Sequence, residues 1–211
     1  DYPTLREWGM EEVPHKQYLN DYFRGLTGSD ARGELYNEDP VTKDARLCGT
    51  TASLCGMEGN DPQRAIRLDL MLHAMMLFQS GIPVLYSGDE IGQINDWNYK
   101  LDPNKVQDSR YLHRGRMPWE QTAMLDNPES IQAKVFHGLD ALERLRKQHS
   151  AFSSQADVWT FDTGSDCVLG IARCHQGELL IGYFNFGTSD YVVTKRSGKV
   201  RNLLTNEECE Q

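Results

Sequence analysis

The sequence predicts an α/β region followed by a small all-β module, on three observations. A long buried helix is joined by a single glycine to a short apolar run, which is the order of an α/β unit. A second amphipathic helix covers 128–148. After Ser150 the texture changes to short β-rich runs separated by Gly, Ser, Asp and Asn, which reads as an antiparallel β domain. The boundary is expected near residue 150, giving domains 1–150 and 151–211.

Each element has its own signal. In HKQYLNDYFRGL, Tyr18, Leu19, Tyr22, Phe23 and Leu26 recur at helical spacing. The stretch 27–46 is loop-like throughout, rich in Gly, Asp and Asn. Small residues from Gly49 to Gly56 suit a tightly packed short helix. Asn60 or Asp61 caps the long helix, with Pro62 in its first turn. That helix ends at Gly81, and Pro83 to Ser87 reads as a buried strand. Residues 95–126 are irregular and polar. Asp126 or Asn127 then caps the second helix, whose stripe is Ile131, Val135, Phe136, Leu139, Leu142 and Leu145. DVWTF, CVLGIAR, ELLIGYFNF and DYVVT are the candidate strands of the β module.

Composition narrows the function classes. Lys and Arg number 22 against 31 Asp and Glu, a formal charge of −9, and an acidic surface repels phosphate backbones. Nucleic acid is therefore not an expected partner, and Lys195-Arg196 is the longest basic run. No run of eighteen apolar residues exists to span a membrane. The five cysteines are odd in number and contain no Cys-x-x-Cys, so free thiols in a reducing, cytoplasmic compartment are expected. The opening DYPTLREWGMEEVPHK has neither a basic start nor an apolar core, unlike a signal peptide. Without an initial Met, the sequence reads as processed or as part of something longer.

The motifs GIPVLYSGDEIGQIND and QDSRYLHRGRMPW, in order between two helices and a terminal β module, resemble the C-terminal part of the alpha-amylase superfamily, glycoside hydrolase family 13. HKQYLNDYF, GSDARGELYNEDP, DARLCGTTASLCGME and DSRYLHR are similar to the amylosucrase and sucrose hydrolase branch. The resemblance covers most of the chain up to residue 150. It implies the last strand and last helix of a (β/α)8 barrel, a loop insertion over about 1–60, and a β-sandwich domain after the barrel. A barrel needs roughly 200 residues or more, so the resemblance implies an incomplete barrel whose catalytic carboxylates precede residue 1. The parent activity it implies is retaining α-glucosyl transfer or hydrolysis on sucrose or related α-glucosides, with the isolated chain inactive. No cofactor or metal is implied. The partners implied are the carbohydrate substrate and a missing N-terminal barrel half. An apolar strand edge at Pro83 to Ser87 would be left open, which predicts homodimerisation or capture of that half.

Asp89 and Glu90, adjacent after the apolar run, invite a catalytic reading. Retaining hydrolysis needs two carboxylates roughly 5 Å apart across a sugar, whereas neighbours on a strand point to opposite faces. A structural role is the better reading. Arg110, with Asp108, is the leading substrate-binding candidate, because a guanidinium fork can donate to vicinal sugar hydroxyls. The resemblance places Arg46 in an acceptor site and puts Lys16 where the branch carries an Arg; a solvated or helix-end charge accounts for either residue equally well. Tyr36, Asn37 and Asp39 lie in the long first loop, which the resemblance sets over the pocket, and a structural role competes for each. His113 reads as structural, and Trp119 either as a ring to stack on sugar or as a packed loop anchor. Two other readings stay open: a non-catalytic carbohydrate-binding module using Trp159, Tyr183 or Phe184, and part of an alpha-amylase or alpha-glucosidase.

Overall fold

The computed structural model describes residues 7–192 and 199–210. It is a mixed α/β structure of helices and antiparallel sheets. The helices are α1 (Glu12–Phe23), α2 (Thr51–Leu54), α3 (Pro62–Phe78) and α4 (Ile131–Gln148). The strands are β1 (Glu34–Tyr36), β2 (Arg46–Cys48), β3 (Asp157–Phe161), β4 (Val168–His175), β5 (Glu178–Asn185), β6 (Lys199–Arg201) and β7 (Glu208–Glu210). They pair as β1-β2, β3-β4-β5 and β6-β7, every ladder antiparallel. Two compact units result, one of Asp1–Leu70 and Val84–Leu139, the other of Met71–Pro83 and Asp140–Gln211. None of the described helices is long and apolar enough to cross a membrane.

The first unit is mostly irregular backbone around a small core that includes Met57, Ile66, Ile91, Leu112 and Val135. Asp61 caps α3 as its position suggests, accepting from the Arg64 N–H at 2.9 Å. The cap of α4 falls later than the sequence suggests. Ser130 accepts from the Ala133 N–H at 3.0 Å and donates to the Met124 carbonyl at 2.7 Å, while Asn127 closes a preceding turn by accepting from the Glu129 N–H. Gly138 lets the two long helices meet closely, since a β-carbon there would lie 2.6 Å from Leu70 Cδ1. The stretch 27–46, expected as loop throughout, holds β1 and the start of β2, joined in register at Glu34↔Cys48 and Tyr36↔Arg46.

The run Pro83 to Ser87 is a correction. It is not a strand in the structure, and it is not buried: Ile82 is 91%, Val84 74% and Tyr86 50% exposed. A strand is defined by a ladder, and none of the described strands lies beside this run to complete one. Its β-branched and apolar composition was legible, but the pairing that would bury it is not supplied by these residues.

In the second unit, β4 forms the centre of its sheet, and the Gln176-Gly177 turn, both residues at positive φ, joins it to β5. Phe78, Phe152 and Phe184 meet edge to face beside it. Arg173 is 2% exposed and spends its guanidinium on main-chain carbonyls: Ala151 at 2.7 Å, Phe78 at 2.9 Å, Gln79 at 3.1 Å and Ser153 at 3.2 Å. Phe78 is the last residue of α3 and Gln79 follows it, so the cation also meets the negative end of the helix dipole. Arg146 sits over the Phe152 ring and donates to the Leu77 carbonyl. Of the DYVVT run, Asp190 to Val192 form no strand, and its remainder lies outside the described residues with Lys195-Arg196.

The end of α4 is fastened to the sheet by Glu178. Its carboxylate accepts from the Ser150 hydroxyl at 2.9 Å and the Ala151 N–H at 3.0 Å, and it meets His149 Nδ1 at 2.5 Å. These contacts, His149 foremost, draw its pKa down from 4.5 to about 2. A depressed carboxyl contributes stability that is complete above its ordinary pKa and is lost as pH falls towards the folded value. Glu178→Gln should therefore lower the melting temperature at pH 7, and the difference from the unsubstituted protein should vanish between pH 4.5 and about 2, as followed by thermal melts across that range. Replacing Arg173 by Met should cost about 3 kcal/mol in denaturant unfolding, since several buried carbonyls lose their donor at once.

Candidate functional site

The sequence candidates converge on the β1-β2 hairpin and the 3-10 turn Ser109–His113. That turn is placed by one local and one long-range bond. Asp108 caps it, accepting from the Arg110 N–H at 3.0 Å, and Ser109 Oγ donates to the Leu35 carbonyl at 3.0 Å, tying the turn to β1. Arg110 then folds back on Asp108 in a fork, Nε to Oδ1 at 2.8 Å and Nη2 to Oδ2 at 2.7 Å. Its guanidinium carbon lies 4.6 Å from the Tyr36 ring centroid. A planar cation is thus fixed by a carboxylate at one edge and an aromatic face on one side. Two of its five N–H groups are used by Asp108, and the side chain remains 41% exposed.

The pair shapes its own electrostatics. Arg110 holds the Asp108 carboxyl well below the usual range, at about 2, and Asp108 raises the Arg110 pKa further. Both groups are charged across the physiological range. The cluster offers fixed donors and an aromatic edge, which suits hydroxyl-rich ligands, and it offers no titrating acid or base.

Arg46 stands opposite Tyr36 in the β1-β2 register and is exposed. Directly cross-strand residues share one face of a ladder, so Tyr36 has Arg46 beside it and Arg110 against its ring. Asn37 follows Tyr36 at φ 53°, in the left-handed region that Asn tolerates, where the chain leaves β1. Lys16 is elsewhere on the same unit: it is 7% exposed and pairs with Glu12 at 2.7 Å and Asp44 at 2.7 Å. The structure thus joins Arg110, Asp108, Tyr36 and Arg46, and gives Lys16 a carboxylate environment instead.

Sequence reading missed Glu34 and Tyr99. The Tyr99 hydroxyl and the Lys100 ammonium both donate to the Glu34 carboxylate, at the start of β1. Burial and the Glu34 carboxylate push the Tyr99 pKa up, so it stays a phenol. Lys100 also lies 4.7 Å from the Trp97 ring centroid. Such partners are more than sixty residues apart in sequence, and nothing local in either segment signals the pairing.

The acids of GIPVLYSGDEIGQIND have backbone roles. Glu90 Oε2 accepts from the Gly88 N–H at 2.8 Å, and Asp89 Oδ2 accepts from the Tyr86 N–H at 3.1 Å. Gly88 at φ 101° and Gly92 at φ 62° flank the 3-10 turn Asp89–Ile91, and a β-carbon at Gly88 would come 2.2 Å from Gln93 Oε1. Two carboxylates and two glycines are therefore what a sharp, capped turn requires. His113 packs against Tyr86 with ring centroids 6.0 Å apart, and burial followed by the Arg114 charge pushes its pKa down. Burial drives the Cys55 thiol up to about 12, which leaves it an inert thiol. Cys48, Cys55, Cys167 and Cys174 are free, and the described residues contain no cluster of metal-ligating side chains.

No family model matches the chain. Over 136 residues it is 29% identical to glucosylglycerate phosphorylase of Escherichia coli (strain K12). The match takes in 63% of this chain but only 23% of that protein, so the chain spans well under half of the curated relative. The likeness is to an enzyme named for a glucoside, and it is distant.

The Asp108–Arg110 fork makes a direct prediction. Carboxyl-carbon NMR should give Asp108 a pKa of about 2, and Arg110→Gln should return it towards 3.8. An unchanged value in the variant would show that Arg110 is not its dominant partner.

Proposed function

We propose that this chain is part of an enzyme that transfers the glucosyl group of an α-glucoside, and that Arg110, Asp108 and Tyr36 form a sugar-contacting element of its site. The observation that carries this reading is the fixed Arg110 fork. Asp108 and Tyr36 set the guanidinium plane before any ligand arrives, so its remaining N–H groups present a preorganised pair of donors to vicinal hydroxyls. The similarity to glucosylglycerate phosphorylase supports a glucoside as the ligand class.

In this reading the run 83–87, unpaired here, becomes the last strand of a (β/α)8 barrel only beside the other strands of the enzyme, α4 is its last helix, and β3-β4-β5 starts a β-sandwich after it. The alternately exposed Ile82, Val84 and Tyr86 support it, because they suit a run that other strands would cover. The loop bearing Arg110 would then open on the catalytic face of the barrel. Retaining transfer needs a nucleophilic carboxylate and an acid/base carboxylate roughly 5 Å apart. Asp89 and Glu90 are committed to the backbone turn, so the proposed pair belongs to the remainder of the enzyme. The nucleophile displaces the aglycone, which leaves with the proton of the acid. The glucosyl-enzyme then passes glucose to an acceptor activated by the same residue, now a base.

Sucrose is the donor favoured by the motifs DSRYLHR and GSDARGELYNEDP. The similarity to glucosylglycerate phosphorylase favours a second donor and acceptor, glucosylglycerate with inorganic phosphate. Incubating the intact protein with sucrose, and separately with glucosylglycerate and phosphate, distinguishes them by product: fructose in the first case, glucose 1-phosphate in the second. Arg110→Ala should reduce turnover of the active pair about 100-fold, the scale for losing a preorganised donor in an active site. Turnover within twofold of the unsubstituted protein would remove Arg110 from the site.

A further inference from the structure

Arg46 and Tyr36 face each other on a hairpin whose paired strands are three residues each, joined by the long loop 37–45. So short a ladder cannot hold its own geometry; isolated two-stranded hairpins are marginal even when longer. The loop does close on itself. Asp39 Oδ1 accepts from the Val41 and Thr42 N–H groups, both at 2.8 Å, the Lys43 N–H donates to the Asp39 carbonyl at 3.0 Å, and the Asp39 N–H donates to the Asp44 carbonyl at 2.7 Å. These bonds shape the loop but do not attach it to anything.

Attachment comes from α1. Lys16 Nζ meets Asp44 Oδ1 at 2.7 Å, and one helical turn on, Asn20 Nδ2 donates to the Lys43 carbonyl at 2.9 Å. Lys16 is itself steadied by Glu12, four residues back, at 2.7 Å. Asp44 is further engaged by the Thr42 hydroxyl at 3.0 Å and stands two residues before Arg46. The Lys16 side chain is 8% exposed, with its ammonium between the Asp44 and Glu12 carboxylates.

We propose that Lys16 is a positioning residue: by holding Asp44 it fixes the start of β2, and so sets Arg46 beside Tyr36 and the Arg110 fork. The proposal rests on the sugar-contacting reading of that cluster. Charge complementarity on both sides of the ammonium supports it, since Asp44 and Glu12 raise the Lys16 pKa and Lys16 foremost lowers that of Asp44.

The test uses the intact protein with Lys16→Met, which keeps the side-chain length and removes the charge, beside Lys16→Arg and Asp44→Asn. In hydrogen exchange, the amides of Val41, Thr42 and Lys43 should open about fivefold more readily in Lys16→Met and Asp44→Asn, the scale for one partly exposed ion pair. The amides of β4 should not change. With the active glucoside, KM should rise about fivefold while kcat stays within twofold, the signature of lost ground-state positioning. Lys16→Arg should restore both. Unchanged exchange at 41–43 would overturn the brace, and faster exchange with unchanged KM would overturn the positioning role. If the unsubstituted protein turns over no glucoside, the sugar-contacting reading falls and the positioning role with it, while the exchange data still decide whether Lys16 is a brace.

Discussion

Asn95 joins its own segment to two others, at Arg32 and at Thr50–Ser53, through buried hydrogen bonds, and the irregular first unit is organised around it. Its side-chain carbonyl accepts from the Thr50 N–H at 2.8 Å, its amide donates to the Arg32 carbonyl, and its own N–H donates to Ser53 Oγ at 2.9 Å. Ser53 in turn donates to Glu58 and is capped through its N–H by Thr50 Oγ1. A helix or sheet satisfies its own polar backbone. A fold made largely of turns cannot, and each buried N–H or C=O left over costs as much as a lost hydrogen bond. One side-chain amide with both a donor and an acceptor solves that at two points together, Thr50 and Arg32, while Ser53 satisfies the N–H of Asn95 itself. Asn95 is 6% exposed and Ser53 fully buried, so water does not substitute.

What hangs from this junction is the candidate site. Gly33 and β1 follow directly after Arg32, β2 leads into Thr50, and the segment after Asn95 runs to Trp97, Tyr99 and Arg110. The stacking of Arg110 on Tyr36 therefore depends on a joint that contains neither residue. Three further ties surround the hairpin: Ser109 to Leu35, Tyr99 and Lys100 to Glu34, and Lys16 to Asp44. The site is rigid in its polar contacts although it contains almost no regular structure, which is the arrangement a binding loop needs to avoid an ordering cost on ligand entry.

How legible this was differs residue by residue. Pro62 and Asp61 announced the start of α3, and DVWTF, CVLGIAR and ELLIGYFNF announced β3, β4 and β5, because capping and period-2 patterning are local effects. The Asp126 and Asn127 signal failed by one turn: Asn127 spends its carbonyl on Glu129, leaving Ser130 to cap α4. The β1-β2 hairpin left no pattern, since three-residue strands are shorter than any period can reveal. At the candidate site, Arg110 and Asp108 were readable as a local pair two residues apart, and Tyr36 and Arg46 as separate candidates. That they share one face was not readable, because it follows from a register.

The sequence by itself determined much of the local chemistry: the cap of α3, the strands of the β module, and a structural role for the adjacent Asp89 and Glu90. It also determined the acidic balance and the free thiols. Only the tertiary structure decided the partners. It paired Lys16 with Asp44, made Glu34 the acceptor for Tyr99, and left 83–87 without a strand partner. The reason is the range of the forces. Caps and turns act over two to four residues and are written in the chain, whereas a cross-strand register or a long-range ion pair exists only once distant segments have been brought together.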